Sequence, residues 1–305
     1  MADPQLTCTV LTPSATRFES AAPGRLRVWA PAKLNLNLLV GHLGRDGFHQ
    51  IDSLVARISL YDRVDLTCRR DGRLTFTCTG AECGRDEDNL ALRAAQALAG
   101  LTTGTPGADV ALHKRIPPGR GLAGGSSDAA AVLAGLDRLW GMNVPGGELA
   151  ALAASLGSDV PLFLGPPASR MTGRGEKLQP IEVHGFAALL VLPPFHCGTG
   201  EVYRCFDQSP APSVPRIDPA VLLQPPASWR GLMVNQLLPA ALRVAPELAN
   251  LMQRLRQHLE LPVCLTGSGS AVFALCDSLA EAVAAWARLP EDLAAAGLVV
   301  QSNPW

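Results

Sequence analysis

Apolar and polar residues alternate along residues 27–42, and again in shorter stretches through 54–79, the period-two pattern of strands. Turns are expected within the second stretch at Asp62 and at Asp71-Gly72. Residues 88–100 change to helical spacing, with Leu90, Ala94, Ala97 and Leu98 facing inward. Residues 109–116, DVALHKRI, read as a strand with Val110, Leu112 and Ile116 on one face. Val132, Leu133, Leu136, Leu139 and Trp140 then fall at helical spacing, and Gly141 stops the run. An alanine-rich helix over 147–156 leads into Gly157, and a strand with a turn at Gly173 covers 168–183. Beyond it FAALLVLPP holds a buried strand, 207–230 is proline-rich loop, and 241–259 is helical. Strand material over 263–276 is split by a Gly/Ser turn, and a last helix spans 279–288.

The change of character near 183–187 divides the chain into an N-terminal extension (1–26), a first domain (27–184) and a second (185–305). The extension is expected to be flexible or to add a short strand. It has no apolar stretch of the signal-peptide kind, and Asp3 and Glu19 argue against a transit peptide, so a cytoplasmic location is expected. The longest apolar stretch, FAALLVLPPF, is broken by prolines, so no membrane span is expected.

Between the strand at 109–116 and the helix after it lies PPGRGLAGGSSDAA, residues 117–130. Gly119, Gly121, Gly124 and Gly125 leave backbone N–H groups uncovered, and Ser126 and Ser127 add hydroxyls where the helix begins. A helix start carries unpaired N–H groups and partial positive charge, so this unit suits an anion, above all phosphate. A tight turn without a ligand is the plainer alternative. The loop is not a Walker A loop, since no Gly-Lys-Ser/Thr follows, nor a dinucleotide fingerprint.

Composition adds limits. With 305 residues, 48% hydrophobic and 17% charged, the chain can bury a large core, built mainly of Leu, Ala and Val because only 5% is aromatic. A net charge of −1 offers no case for nucleic acid, so an anionic substrate must be met by local groups. The 8 cysteines form no CxxC and no His stands at zinc spacing, so reduced, mostly buried thiols are expected and no metal site of protein ligands.

The loop resembles the second motif of the GHMP kinases, the group of galactokinase, homoserine kinase, mevalonate kinase and phosphomevalonate kinase. Their signature, Pro-x-x-x-Gly-Leu-x-Gly/Ser-Ser-Ser/Asp-Ala, stands here as Pro117, Pro118, Gly119, Arg120, Gly121, Leu122, Ala123, Gly124, Gly125, Ser126, Ser127, Asp128 and Ala129. APAKLNLNLL (30–39) is similar to the first motif and LTGSGSAVFAL (265–275) to the third. Arg45 to Ile51, DEDNLAL (86–92) and GSDVPLF (157–163) resemble segments of the branch that acts on 4-diphosphocytidyl-2-C-methyl-D-erythritol. The resemblance runs in order from about residue 28 to about residue 278.

It implies a two-domain α/β (α+β) fold: a ribosomal protein S5 domain 2-like nucleotide domain, then a ferredoxin-like domain, with the active site between them. It implies transfer of the γ-phosphoryl of ATP, with Mg2+, to the 2-hydroxyl of that cytidylyl acceptor. Other small-molecule acceptors of the family, or a non-catalytic nucleotide-binding regulator on the same fold, are the alternatives. A small-molecule enzyme of this kind is expected to act as a monomer or weak homodimer. Residues 117–127 would hold ATP. Asn89 and Lys114 would contact its nucleoside, although a helix cap and a solvated strand face explain them equally well. Asp159 would be the base, or else a turn residue, and Lys33 its cationic neighbour. Asn35, two residues along the strand, shares the face of Lys33. Phe48, which replaces the usual tyrosine, and Tyr203 would stack on cytosine, with His49 and Thr199 beside them. Ordinary packing is the alternative for these rings. Asp128 reads as a local cap or a distant partner of magnesium, and Arg120 as solvent-facing or close to phosphate.

Overall fold

A computed structural model describes residues 7–305 except 46, 82–84, 103, 105, 210–213 and 304. The first half contains β1 (Thr9–Val10), β2 (Phe18–Ala22), β3 (Arg25–Leu43), β4 (His49–Arg69), β5 (Leu74–Gly80), α1 (Leu90–Ala99), β6 (Gly107–Lys114), α2 (Gly124–Trp140), α3 (Gly146–Leu156), β7 (Ala168–Gly173) and β8 (Lys177–Pro180). The second half contains β9 (Ala187–Val191), α4 (Thr199–Gln208), α5 (Leu238–Val244), α6 (Glu247–His258), β10 (Cys264–Leu265), β11 (Val272–Cys276), α7 (Leu279–Ala287), α8 (Glu291–Ala295) and β12 (Gly297–Gln301).

The first sheet runs β2-β3-β4-β6-β5, with β7 and β8 continuing from the other half of β4. β4 pairs with β7 over residues 51–56 and with β6 over 63–69, and between them Ile58 bridges Ser302 near the C-terminus. The turn expected at Asp62 is absent. Asp62 sits inside a continuous β4, opposite Ala30, beside a register shift. A polar residue in an apolar run reads as a turn until its buried partner is known. Helices α1, α2 and α3 cover one face, where Val28, Val64, Leu66 and Val110 pack against Leu98, Val132, Leu133 and Leu136.

The second sheet runs β1-β12-β9-β11-β10. Apart from β1, its strands follow the order β9, β10, β11, β12 in sequence and β12-β9-β11-β10 in space, with antiparallel neighbours and helices after β9 and β11. This is the ferredoxin-like arrangement. Leu34, Leu54 and Ile58 of the first sheet pack against Ala188, Leu190 and Phe273 of the second. The other face of the second sheet is covered by Val202, Phe206, Ala241, Leu248 and Leu255.

Other expectations change. The single helix expected over 241–259 is two, because Pro246 has no N–H to continue α5 and Ala245 before it is non-helical (φ −130°, ψ 86°). α4 escapes the sequence pattern because it buries only Val202 and Phe206. Of the two expectations for the N-terminal segment, the added strand is what its described residues show: they supply one strand to each sheet, β1 beside β12 and β2 beside β3. Among the cysteines, Cys197 and Cys276 are buried free thiols, whereas Cys8, Cys68, Cys205 and Cys264 are free but half-buried or exposed. Cys78, on edge strand β5, is disulfide-bonded, contrary to the expectation of reduced thiols; Cys83 lies outside the described residues. Among the described residues no helix is long and apolar enough to cross a membrane.

Candidate active site

The glycine-rich loop joins β6 to α2. Gly119, Gly121 and Ala123 take left-handed backbone angles (φ 67°, 76° and 55°), which fold the loop back over the start of α2. Ala123 makes no side-chain cap, so the first N–H groups of α2 are not covered by a side chain. Two distant segments hold the loop down. Lys33 N donates to Leu122 O at 3.2 Å, and Ala271 N donates to Arg120 O at 3.2 Å. Arg120 also reaches Ser270 Oγ at 3.4 Å, which turns its side chain along the third motif.

The loop forms one wall of a cleft of about 760 Å³ between the two sheets. Lys33, Asn35, Phe48, His49, Asp159, Thr199 and Tyr203 line it together with residues 117–126. Lys33 and Asn35 do share a face of β3, and Lys33 Nζ donates to Asn35 Oδ1. Asn35 is fixed in turn: its Nδ2 donates to Ser53 Oγ at 2.8 Å, and its backbone N donates to Thr266 Oγ1 at 3.0 Å. Burial lowers the Lys33 pKa, and the negative charge of Asp159 opposes the shift. Asp159 stands in the turn after α3, which Val160, Leu162 and Phe163 anchor in the core. The Tyr203 hydroxyl is pushed up to about 12, first by burial and then by Asp159. One carboxylate thus acts on Lys33 and on Tyr203.

Farther along the cleft, Tyr203 of α4 stacks on His49 with ring centroids 5.3 Å apart. His49 Nδ1 lies 2.9 Å from Gly41 O, and its Nε2 lies 2.9 Å from Asp207 Oδ1 without the alignment of a hydrogen bond. Phe48 is half exposed, and the Arg174 guanidinium lies 5.2 Å from its ring centroid. Thr199 Oγ1 meets Ser268 Oγ at 3.0 Å, joining α4 to the third motif.

Three expected site residues lie off this cleft. Lys114 is buried, with Nζ 2.6 Å from Oδ2 of both Asp62 and Asp128. Burial lowers its pKa, but Asp128 and Asp62 together raise it more. Asp128 is neither a cap nor a surface group. Burial and the neighbouring Asp62 lift its pKa well above the ordinary carboxylate value, against the pull of Lys114. Asn89 caps α1, accepting from Ala91 N at 3.0 Å. Ser127 is fully buried on the inner face of α2, whereas Ser126 lines the cleft.

Residues 89–165 match the GHMP kinases N terminal domain, and residues 222–295 match the GHMP kinases C terminal. A protein of Salinispora tropica described as 4-diphosphocytidyl-2-C-methyl-D-erythritol kinase is 38% identical over 92% of both chains. One of Shouchella clausii with the same description is 36% identical over 81% of this chain and 84% of its own. The chain belongs to the 4-diphosphocytidyl-2-C-methyl-D-erythritol kinase family of GHMP kinases. A crystal structure of 4-(cytidine 5'-diphospho)-2C-methyl-D-erythritol kinase superposes with a TM-score of 0.76 at 34% identity, covering 91% of this chain and 99% of that one. A homoserine kinase from Cytophaga hutchinsonii shares the fold, with a TM-score of 0.69 at 18% identity.

For this GHMP kinase, sequence reasoning did not single out Thr266, Ser53, Asp207 or Arg174. Ser53 and Asp207 carry no local signal, since each matters only through a partner brought near by folding. Thr266 lay in view, inside the third motif, without an assigned role.

Proposed function

We infer that this chain is an ATP-dependent kinase that phosphorylates the 2-hydroxyl of 4-diphosphocytidyl-2-C-methyl-D-erythritol, a step toward isoprenoid precursors. The observation that carries the reading is the placement of Lys33 and Asp159 together in a cleft walled by the glycine-rich loop.

The loop suits a triphosphate. Its glycines and the uncapped start of α2 offer backbone N–H donors, and the Ser126 hydroxyl lines the cleft beside them. The described residues hold no group of three or more His, Cys, Asp or Glu able to cage a metal. Magnesium is commonly held by phosphate oxygens and water with few protein ligands, and Ser126 is the loop hydroxyl suited to complete such a set. When bound, the magnesium complex of ATP supplies the phosphoryl group and offsets its charge.

The protein supplies position, a proton acceptor and charge. Asp159 accepts the proton of the attacking hydroxyl. Lys33, buried and held by Asn35, stabilises the charge of the moving phosphoryl group in a site where water does not screen it. Ser53 and Thr266 act through Asn35 by fixing its amide. Phe48 and Tyr203 offer ring faces for the cytosine of the acceptor, and His49 backs Tyr203. A cytoplasmic enzyme acting on a small molecule without nucleic acid fits the net charge of −1.

ADP release tests this directly, with ATP and the cytidylyl acceptor, homoserine, mevalonate or galactose in separate reactions. Turnover is expected with the cytidylyl acceptor. Turnover with one of the others in its place assigns the chain to another acceptor, and no turnover with any of them leaves a nucleotide binder.

A further inference from the structure

We propose that Asp62, Lys114 and Asp128 form a buried clamp that sets the spacing between the two ends of the phosphate loop, so that Lys114 serves the nucleotide as a positioning residue and not by touching its nucleoside. The proposal rests on the kinase reading above. The loop begins where Asp62 Oδ1 accepts the backbone N–H groups of Arg115 and Ile116. It ends at α2, whose second turn carries Asp128. Lys114 Nζ stands between the two carboxylates, 2.6 Å from each. One cation thus ties the start of the loop to the helix that follows it.

The packing leaves the helix start no slack. Gly124, the first residue of α2, presses on this cluster: an added Cβ would lie 2.8 Å from Ile116 Cγ2 and 3.5 Å from Asp62 Oδ2. Asp128 meets both Asp62 and Lys114, and Lys114 is the cation between the two carboxyl groups. None of the three side chains lines the cleft. Any effect on a ligand therefore passes through the backbone of the loop. Without the lysine no cation joins the two carboxyl groups in their dry site: they repel, or one takes up a proton, and in either case the ionic tie between the loop start and α2 is lost. Small displacements of positioned donors are costly.

The test is binding to the full chain of three probes: ATP and inorganic tripolyphosphate by calorimetry, and adenosine by ligand-observed NMR. Lys114→Met is expected to weaken ATP and tripolyphosphate by a similar factor, about tenfold or more, and to leave adenosine unchanged. Lys114→Met/Asp128→Asn removes the surplus buried charge and is expected to recover most of that loss. If Lys114 touched the nucleoside, Lys114→Met would weaken adenosine and ATP while tripolyphosphate held, and the second substitution would recover nothing; that result overturns the clamp, as does a Lys114→Met chain that binds all three probes like wild type. Should Lys114→Met not fold, the double variant carries the test alone. Tripolyphosphate and adenosine affinities both close to wild type support the clamp, and loss of either overturns it. A wild-type chain that binds neither ATP nor tripolyphosphate overturns the kinase reading itself.

Discussion

Gly121 and Thr266 meet so closely that an added Cβ on Gly121 would overlap the Thr266 carbonyl oxygen, while the Thr266 hydroxyl donates to Gly121 O at 3.4 Å. The contact joins the phosphate loop to the third motif, 145 residues later. It also links the loop to Asn35, which the same hydroxyl reaches at 3.3 Å.

Gly121→Ala is therefore expected to damage both stability and nucleotide binding. The left-handed backbone alone costs about 1–2 kcal/mol with a side chain present, and the overlap adds displacement of the loop. Gly141→Ala is the control: its φ of 64° is similar, but nothing lies within 4 Å of the added Cβ. Thermal melts and ATP calorimetry should show a stability loss in both variants and weakened ATP binding only in Gly121→Ala.

Asp159→Asn keeps the shape of the side chain and removes the proton acceptor. Loss of a general base costs about 10²–10⁴-fold in rate, so kcat should fall by that order with little change in KM. A variant within a few-fold of wild type would mean that Asp159 only shapes its turn.

Lys33→Met should be inactive yet no less stable than wild type. Because burial lowers the Lys33 pKa, the folded chain releases this proton before the unfolded chain does at the ordinary lysine value of 10.5. The destabilising cost of the buried charge is present below the folded pKa and disappears as pH rises toward 10.5. Urea unfolding should show the advantage of Lys33→Met near neutral pH and its decline at alkaline pH.

Phe48→Ala and Tyr203→Ala should separate binding from packing. Phe48 is half exposed, so its loss should raise KM for the cytidylyl acceptor and leave both KM for ATP and the melting temperature nearly unchanged. Stacking contributes about 1–3 kcal/mol per base in nucleic-acid complexes, which corresponds to about fivefold or more in KM. Tyr203 packs on His49 and on the core under α4, so Tyr203→Ala should lower the melting temperature as well. Equal weakening of ATP and acceptor by Phe48→Ala would place the cytosine elsewhere.

Asp128→Asn should show the opposite pH sign to an ordinary salt-bridged carboxylate. Burial and Asp62 raise its pKa above the ordinary 3.8. Its stabilising contribution is therefore full below 3.8 and is lost as pH rises through the raised folded value. Relative to wild type, Asp128→Asn should gain stability as pH rises across that window, measured by urea unfolding. A gain on acidification instead would show that the ionised form is the favoured one.

What the chain states locally was legible without a structure. The Gly-rich loop between a strand and a helix, the stop at Gly141 and the common face of Lys33 and Asn35 each depend on a few neighbouring residues. Backbone freedom, capping and side-chain periodicity act over that range. The ordered motifs added the family and the fold it implies.

The tertiary structure decided which partners those faces meet. Lys114 shows the limit: its strand position was legible, but Asp62 is 52 residues before it and Asp128 lies on the next helix. Only their meeting places this lysine in a buried ion cluster. Asn35 likewise gained its role from Thr266, 231 residues away. Spacing along a chain tells which way a side chain points, whereas its charge state and its work depend on what folding brings opposite it.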